Sequence, residues 1–88
     1  MSTEHDPSES IGRVTHYYSH LSVAALHLDA PLKVGQRIHF KGHTTDLVQT
    51  VDSLEVEHQR VESASPGDDV ALRVDDHVRE HDAIYREA

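Results

Sequence analysis

The chain has 88 residues, with 16 aspartates and glutamates against 8 lysines and arginines, 9 histidines and a formal net charge of -8. A chain of this length has room for one hydrophobic core, because the fraction of surface that a domain buries rises with its size. It contains no cysteine, which excludes a disulfide framework and a thiolate zinc site. The negative charge repels phosphate backbones, so we expect no DNA partner.

The first ten residues, MSTEHDPSES, are polar and acidic. No aliphatic residue follows Met1 in this segment, so it cannot bury enough apolar surface to offset the entropy lost on ordering. We therefore predict a flexible tail over residues 1–10 and a single domain over residues 11–88. The sequence has no apolar stretch as long as a signal sequence or a membrane span, and we expect a cytoplasmic protein that does not bind membranes.

After the tail, short runs rich in Val, Ile, Leu and Tyr alternate with Gly, Pro, Asp and Ser, a pattern typical of an all-β barrel or sandwich. The first strand is predicted over residues 11–19. Because successive residues of a strand face opposite sides, Val14, His16 and Tyr18 should share one face and Tyr17 should lie on the other.

A second strand is predicted over residues 22–28, closed by Pro31, which cannot donate to a strand ladder. A turn at Gly35 precedes a third strand over residues 37–41. In this third strand the alternation places His39 on the outward face, together with Lys41.

Residues 42–46 are predicted to reverse the chain, and residues 47–59 form a long fourth strand. Its apolar alternation changes from odd positions, as at Val51, to even positions, as at Leu54. In a continuous strand, such a change of one residue moves the apolar side chains to the other face. We therefore predict a β-bulge at Asp52–Ser53, where the strand bends around a closing barrel.

The strongest turn signal covers residues 64–68 and contains Pro and Gly. It precedes a strand over residues 69–74, and a short last strand over residues 83–86 is expected to pair with the first. The sequence thus predicts an all-β fold, a small closed or nearly closed antiparallel barrel of about six strands.

Three segments resemble the second domain of translational GTPases such as elongation factor Tu: Gly12–Val14, Leu32–Gly42 and Pro66–Leu72. In that family a G-x-V strand precedes an L-x-x-G-D turn, and a late G-D-x-V-G turn opens another strand. The strings VTHYYSHLSVAAL, LKVGQRIHFKGHTTD and VQTVDSLEVEH are more narrowly similar to small stand-alone elongation-factor-like proteins and to the similar C-terminal domain of the U32 peptidase family. The resemblance covers residues 11 to 86 and implies a barrel of the translation-factor domain 2 type.

Two positions depart from this family: Gln36 stands where Asp is frequent, and Ala71 stands where Gly is frequent. The chain has no G-x-x-x-x-G-K-[ST] loop, whose backbone donors and lysine would hold GTP phosphates. The remainder of a peptidase is absent as well. We therefore expect no cofactor and no enzymatic activity in this chain.

Histidines recur four residues apart three times, as His16 with His20, His39 with His43, and His77 with His81. Such a pair binds zinc when it shares the face of a helix, but these pairs fall on predicted strands and turns. We expect solvated histidines and no metal site. The adjacent carboxylates Asp68–Asp69 and Asp75–Asp76 are not expected to act in catalysis, because neighbouring strand residues face opposite sides.

The outward set of His39, Lys41 and His43, close to Gly42 and Lys33, is the one locally non-acidic surface in the sequence. The barrel of translation factors commonly binds the end of a transfer RNA or ribosomal RNA, so the resemblance implies the same for this rim. The alternative is a solvated edge whose lysines discourage aggregation between sheets.

Tyr17 completes the candidate site, because one of two consecutive strand tyrosines faces outward and can stack on a base or on a partner side chain. Core packing is the alternative. The sequence thus favours a translation-factor-like binding module that docks on RNA or a ribosome-associated protein. The second hypothesis is a protein-binding accessory subunit equivalent to the C-terminal domain of U32-type peptidases.

Overall fold

The computed structural model describes residues 9–87, which form ten β-strands and contain no α-helix. The strands are β1 (Gly12–Tyr18), β2 (Val23–Leu28), β3 (Leu32–Lys33), β4 (Arg37–Lys41), β5 (Asp46–Thr50), β6 (Leu54–Val56), β7 (Gln59–Val61), β8 (Ser63–Ala64), β9 (Asp69–Arg73) and β10 (Ala83–Glu87). Eight of them form one antiparallel sheet in the order β5-β4-β10-β1-β2-β9-β6-β7, and β3 pairs with β8. The all-β prediction is confirmed.

The large sheet is open, because β5 and β7 end it and do not pair with each other. The prediction of a closed or nearly closed barrel of about six strands is therefore wrong in its closure, and the large sheet is a strongly curled half-barrel. The number of strands is also wrong, because residues 9–87 form ten. The difference arises at residues 47–59, predicted as one strand, which contain most of β5, all of β6 and the start of β7. This segment supplies both ends of the sheet.

The predicted β-bulge at Asp52–Ser53 is absent, because the chain leaves the sheet between β5 and β6. Val51 lies in this break, and its backbone bonds to the turn before β4, donating to Gln36 O at 2.8 Å and accepting from Gly35 N at 2.9 Å. The change in the apolar alternation therefore marks the end of one strand and the start of another with different partners. The sequence pattern alone does not distinguish this from a bulge.

A β-bulge does occur in β1, where the register with β2 shifts between Val14 and His16. The extra residue reverses the alternation after it. Val14 is fully buried, and Tyr17 is half-buried against the core, whereas Tyr18 is 46% exposed. The prediction that Val14, His16 and Tyr18 share one face is wrong for this reason.

The predicted pairing of the last strand with the first is confirmed, with Gly12 opposite Ile84 and Arg13 opposite Ala83. This pairing joins the two halves of the sheet. The core consists of alternate, almost fully buried strand residues, among them Leu26, Leu28, Ile38, Phe40, Leu54, Leu72 and Ile84. Burying a side chain of this kind contributes about 1.5–3 kcal/mol, so this core is the main source of stability.

A side chain holds the curl of the sheet in place. Gln49 on β5 is 3% exposed, and its Nε2 donates to Arg73 O at 2.9 Å. Its Oε1 accepts from Asp75 N at 2.8 Å. One amide thus connects β5, at one end of the sheet, to the chain leaving β9, a strand of the other half.

Most of the predicted tail, residues 1–10, lies outside the described residues. Its last residue, Ser10, donates from Oγ to Gly12 O at 2.8 Å. No helix within residues 9–87 is long and apolar enough to cross a membrane.

Candidate functional site

The predicted RNA-binding rim lies at the end of the β4–β5 hairpin. His39 was expected to face outward, but it is 4% exposed. Its Nε2 bonds to the carboxylate of Asp46, which also accepts from Lys41 Nζ at 3.3 Å. The prediction is wrong for His39, because β4 is covered on both faces: Ile38, His39 and Phe40 are consecutive and all buried.

Asp46 is the residue that sequence reasoning left out of this rim, although it lies directly opposite Lys41 in the hairpin register. The hydrogen bond from His39, and after it the one from Lys41, holds the pKa of Asp46 below its ordinary value of 3.8. An ionised carboxylate therefore lies between the candidates His39 and Lys41. It offsets the positive charge that an RNA phosphate would need.

The packing of this hairpin requires glycine at position 42. A Cβ added to it would overlap Oδ1 of Asp82. Asp82 is 5% exposed, and its Oδ2 accepts from Arg79 N at 2.8 Å, so the carboxylate has little freedom to move away. The glycine lets the hairpin pack on the loop that precedes β10.

Lys33 and Tyr17 lie apart from the hairpin turn. Lys33 is on β3, and its N–H donates to the side chain of Gln36, the residue before β4, whereas Lys41 ends β4. Four residues of strand span about 13 Å. Tyr17 packs on the ring of His77 at 4.5 Å between centroids and lines a shallow depression. The structure thus brings Lys41, Gly42 and His43 together and leaves two of the predicted residues elsewhere; RNA binding by this rim stays a prediction.

A groove of about 490 Å³ lies on the outer face of β2, β9 and β6. Its floor follows from the register, in which Ala25 of β2 lies opposite Ala71 of β9, and Ala71 lies opposite Glu55 of β6. Two small side chains in one row leave a depression between larger neighbours. Ala71 is also the position at which glycine is frequent in the translation factors.

The wall of this groove is formed by Tyr18 and Leu21. They are 46% and 67% exposed, and they are two of the three large hydrophobic residues that are exposed within residues 9–87. Tyr18 faces the groove because of the β1 bulge, and Leu21 sits in the following turn, where its N–H donates to Tyr18 O at 3.1 Å. Sequence reasoning flagged Tyr18 but missed Leu21, whose only signal is a single leucine within a polar turn.

The groove is also flanked by backbone in the left-handed region. Ser22 has φ of 53°, and Glu57 and His58, which form the two-residue turn between β6 and β7, have φ of 52° and 65°. For residues other than glycine this conformation costs about 1–2 kcal/mol each. Three of the four such residues in the described chain therefore adjoin one surface.

The polar part of the groove is acidic. Glu55, Glu57 and Asp69 line it together with His58, and no lysine or arginine of residues 9–87 does. Asp69 Oδ1 lies 2.9 Å from Nδ1 of His27. The arrangement combines an apolar wall and floor with carboxylates, which suits recognition of a chain carrying both apolar and cationic groups.

The histidines are distributed over several carboxylate contacts. His16 lies 3.2 Å from Glu80, and His27 and His39 contact Asp69 and Asp46. Within residues 9–87 no three His, Cys, Asp or Glu side chains are grouped closely enough to hold a metal ion.

Comparison with known proteins places this fold in a defined class. Over 98% of this chain and 100% of the other it matches the C-terminal domain of a U32 peptidase from Geobacillus thermoleovorans, with a TM-score of 0.87 and 17% identity. The selenomethionine variant of that domain matches with a TM-score of 0.83 and 18% identity over 88% of this chain and 98% of that one. The chain therefore has the fold of the C-terminal domain of a U32 peptidase.

The chain is also similar in sequence to parts of proteases. Residues of this chain are 40% identical over 76 positions, or 85% of the chain, to an uncharacterised protease of Methanocaldococcus jannaschii. They are 33% identical over 78 positions, or 86% of the chain, to a collagenase of Porphyromonas gingivalis. The chain spans about a fifth of these relatives, 19% and 22% of their lengths. No protein-family model matches it.

These comparisons support one of the two resemblances drawn from the sequence. The likeness to the C-terminal domain of U32 peptidases is confirmed by the structural matches. None of the matches described above is to a translation factor, so the relationship to elongation factor Tu has no support from them.

Proposed function

We propose that this chain is a non-enzymatic accessory domain that binds a protein, equivalent to the C-terminal domain of U32-type peptidases. The observation that carries the proposal is the structural match over 98% of this chain and the whole of that domain. The similarity to two proteases supports it, because it is confined to about a fifth of each relative.

The side chains of the described residues support a binding role over a catalytic one. Within residues 9–87, the pairs of His16 with Glu80 at 3.2 Å and His27 with Asp69 at 2.9 Å are exposed and have no serine, threonine or lysine bonded to them. In a third pair, His39 with Asp46, Lys41 bonds to the carboxylate and not to the histidine. Nucleophilic catalysis needs a nucleophile within hydrogen-bond reach of its base. The proposal therefore leaves catalysis to a separate polypeptide or domain.

A chimera tests the proposal. In the Porphyromonas gingivalis collagenase, the 78-residue segment similar to this chain is deleted in one variant and replaced by the matching residues of this chain in another. We expect the deletion to lose collagen cleavage and the chimera to recover a measurable part of it, because the replacement is 33% identical to the segment that it replaces. The isolated chain, assayed alongside, is expected to cleave no collagen.

Two outcomes would contradict the proposal. Collagen cleavage by the isolated chain would show that it is an enzyme. A chimera that folds, as judged by its circular dichroism and a cooperative melting transition, but cleaves no more than the deletion variant would show that the chain does not replace that segment.

A further inference from the structure

The groove on β2, β9 and β6 exposes apolar surface that the fold does not use. Single exposed hydrophobic side chains are ordinary in proteins, and contiguous ones mark binding sites. Here Tyr18 and Leu21 line one groove with the outward side chains of Val23, Ala25 and Ala71. Aromatic and leucine side chains beside small ones form the kind of concavity into which a partner side chain inserts.

The charge of the groove selects the chemistry of its partner. Glu55 and Glu57 line it and form no hydrogen bond or ion pair with any of residues 9–87, and Asp69 contacts only a histidine there. Complementary potentials favour a positively charged partner and oppose a negatively charged one such as RNA. Around an apolar pocket, that partner carries lysine or arginine beside an apolar side chain.

The walls of the groove are held in place before any partner binds. The two-residue turn of Glu57 and His58 and the turn residue Ser22 keep positive φ without glycine, a conformation that persists only where the surrounding structure enforces it. Such residues are concentrated at ligand-binding sites more than elsewhere. A preformed groove lowers the entropy lost on binding.

We propose that this groove binds a polypeptide segment in which an apolar side chain is flanked by lysines or arginines. The inference names the partner chemistry of the accessory domain, and it rests on the proposed function for the identification of the partner as a protein. The apolar side chain fits between Leu21 and the two alanines of the floor, and the cations pair with Glu57 and Asp69.

The test uses the full chain and three synthetic eight-residue peptides. The probe is GKRFLRKG, the charge-reversed control is GEEFLEEG, and the apolar-deleted control is GKRSSRKG. We expect titration followed by amide NMR to shift signals of residues lining the groove with the probe. Affinity should fall at least tenfold for each control peptide and weaken as salt is added.

Variants assign the binding to the groove. Leu21→Ser and the double variant E57Q/D69N should each weaken binding of the probe at least fivefold. The matched controls are Val48→Ser, which changes an exposed hydrophobic residue on β5, and the double variant D52N/E62Q, which removes two exposed carboxylates outside the groove; both should bind as the parent chain does.

The proposal is overturned if the probe and its charge-reversed control bind equally. It is also overturned if the shifts fall on the β4–β5 hairpin, or if sedimentation shows a dimer of the chain that Leu21→Ser dissociates, since the groove would then hold a second copy. A chimera that restores collagen cleavage without peptide binding removes this inference and leaves the proposed function. Peptide binding at the groove together with an inactive chimera removes the proposed function and leaves this inference.

Discussion

The β4–β5 hairpin and the groove both display charged side chains, but they use them differently. In the hairpin, His39 and Lys41 bond to Asp46, so the polar groups contact one another. In the groove, Glu55 and Glu57 have no such contacts with the described residues, and Leu21 is 67% exposed. The charged side chains of the hairpin thus stabilise the fold, and those of the groove remain available to a partner.

This difference shows why a local excess of one charge does not by itself identify a binding surface. A local excess of basic residues marked the hairpin, yet the residue that neutralises it lies across the strand pair. Substitutions in the hairpin should therefore change stability, and substitutions in the groove should change binding with little effect on stability.

The largest effect is expected at Gln49 on β5. Gln49→Ala removes two hydrogen bonds to the backbone at Arg73 and Asp75 and leaves those groups without their partner, which should lower the free energy of unfolding by about 2–4 kcal/mol. Urea unfolding followed by circular dichroism measures it. Gln59→Ala on β7 changes the same residue type at an exposed position and should cost less than about 0.5 kcal/mol; an equal loss at both positions would contradict the role given to Gln49.

Gly42→Ala should be the next most damaging change. The added Cβ overlaps the buried carboxylate of Asp82, and overpacking of this kind costs about 1–3 kcal/mol. The thermal midpoint of the variant is compared with that of His43→Ala, which alters the neighbouring exposed residue. If both variants melt at the parental temperature, the hairpin does not pack tightly on the loop before β10.

Asp46→Asn should produce a smaller, pH-dependent effect. The pKa of Asp46 is lower in the folded state than its ordinary value of 3.8. The ionised carboxylate therefore stabilises the fold at any pH above 3.8, and this stabilisation is lost as the pH falls through the lower pKa of the folded state. The variant should therefore be less stable than the parent chain near neutral pH, and the difference should vanish in acid below that value. Chemical unfolding across this range tests it.

Asp52→Asn is the control for Asp46, since it also removes one negative charge at an exposed position. A difference between parent and Asp46→Asn that persists unchanged into acid would show that the hydrogen bonds to Asp46 do not depend on its charge.

The smallest change in stability is expected at the groove. Leu21→Ser should alter the free energy of unfolding by less than about 0.5 kcal/mol, because an exposed side chain gains little burial on folding. Differential scanning calorimetry measures it. A loss comparable to that at Gln49 would mean that Leu21 supports the fold, and the contrast between hairpin and groove would fail.

The sequence by itself determined the all-β class and the bounds of several strands. Alternation and turn residues predicted β2 and β9 to within a residue and β4 at its observed bounds, because apolar alternation and glycine or proline turns are local properties. The likeness to the C-terminal domain of U32 peptidases was also present in strings of residues. Of the candidate site, the sequence identified Lys41, Gly42 and His43 as neighbours, since they are adjacent in the chain.

Only the tertiary structure decided whether the sheet closes and which side chains are buried or exposed. The bulge in β1 exchanged the faces of Tyr17 and Tyr18, the break after β5 left the sheet open, and Gln49 tied the curl across it. The groove arises because Ala25, Ala71 and Glu55, which are far apart in sequence, fall in one row of three strands. Strand register and long-range contacts set these features, and they are determined by the packing of the whole chain, which no local pattern contains.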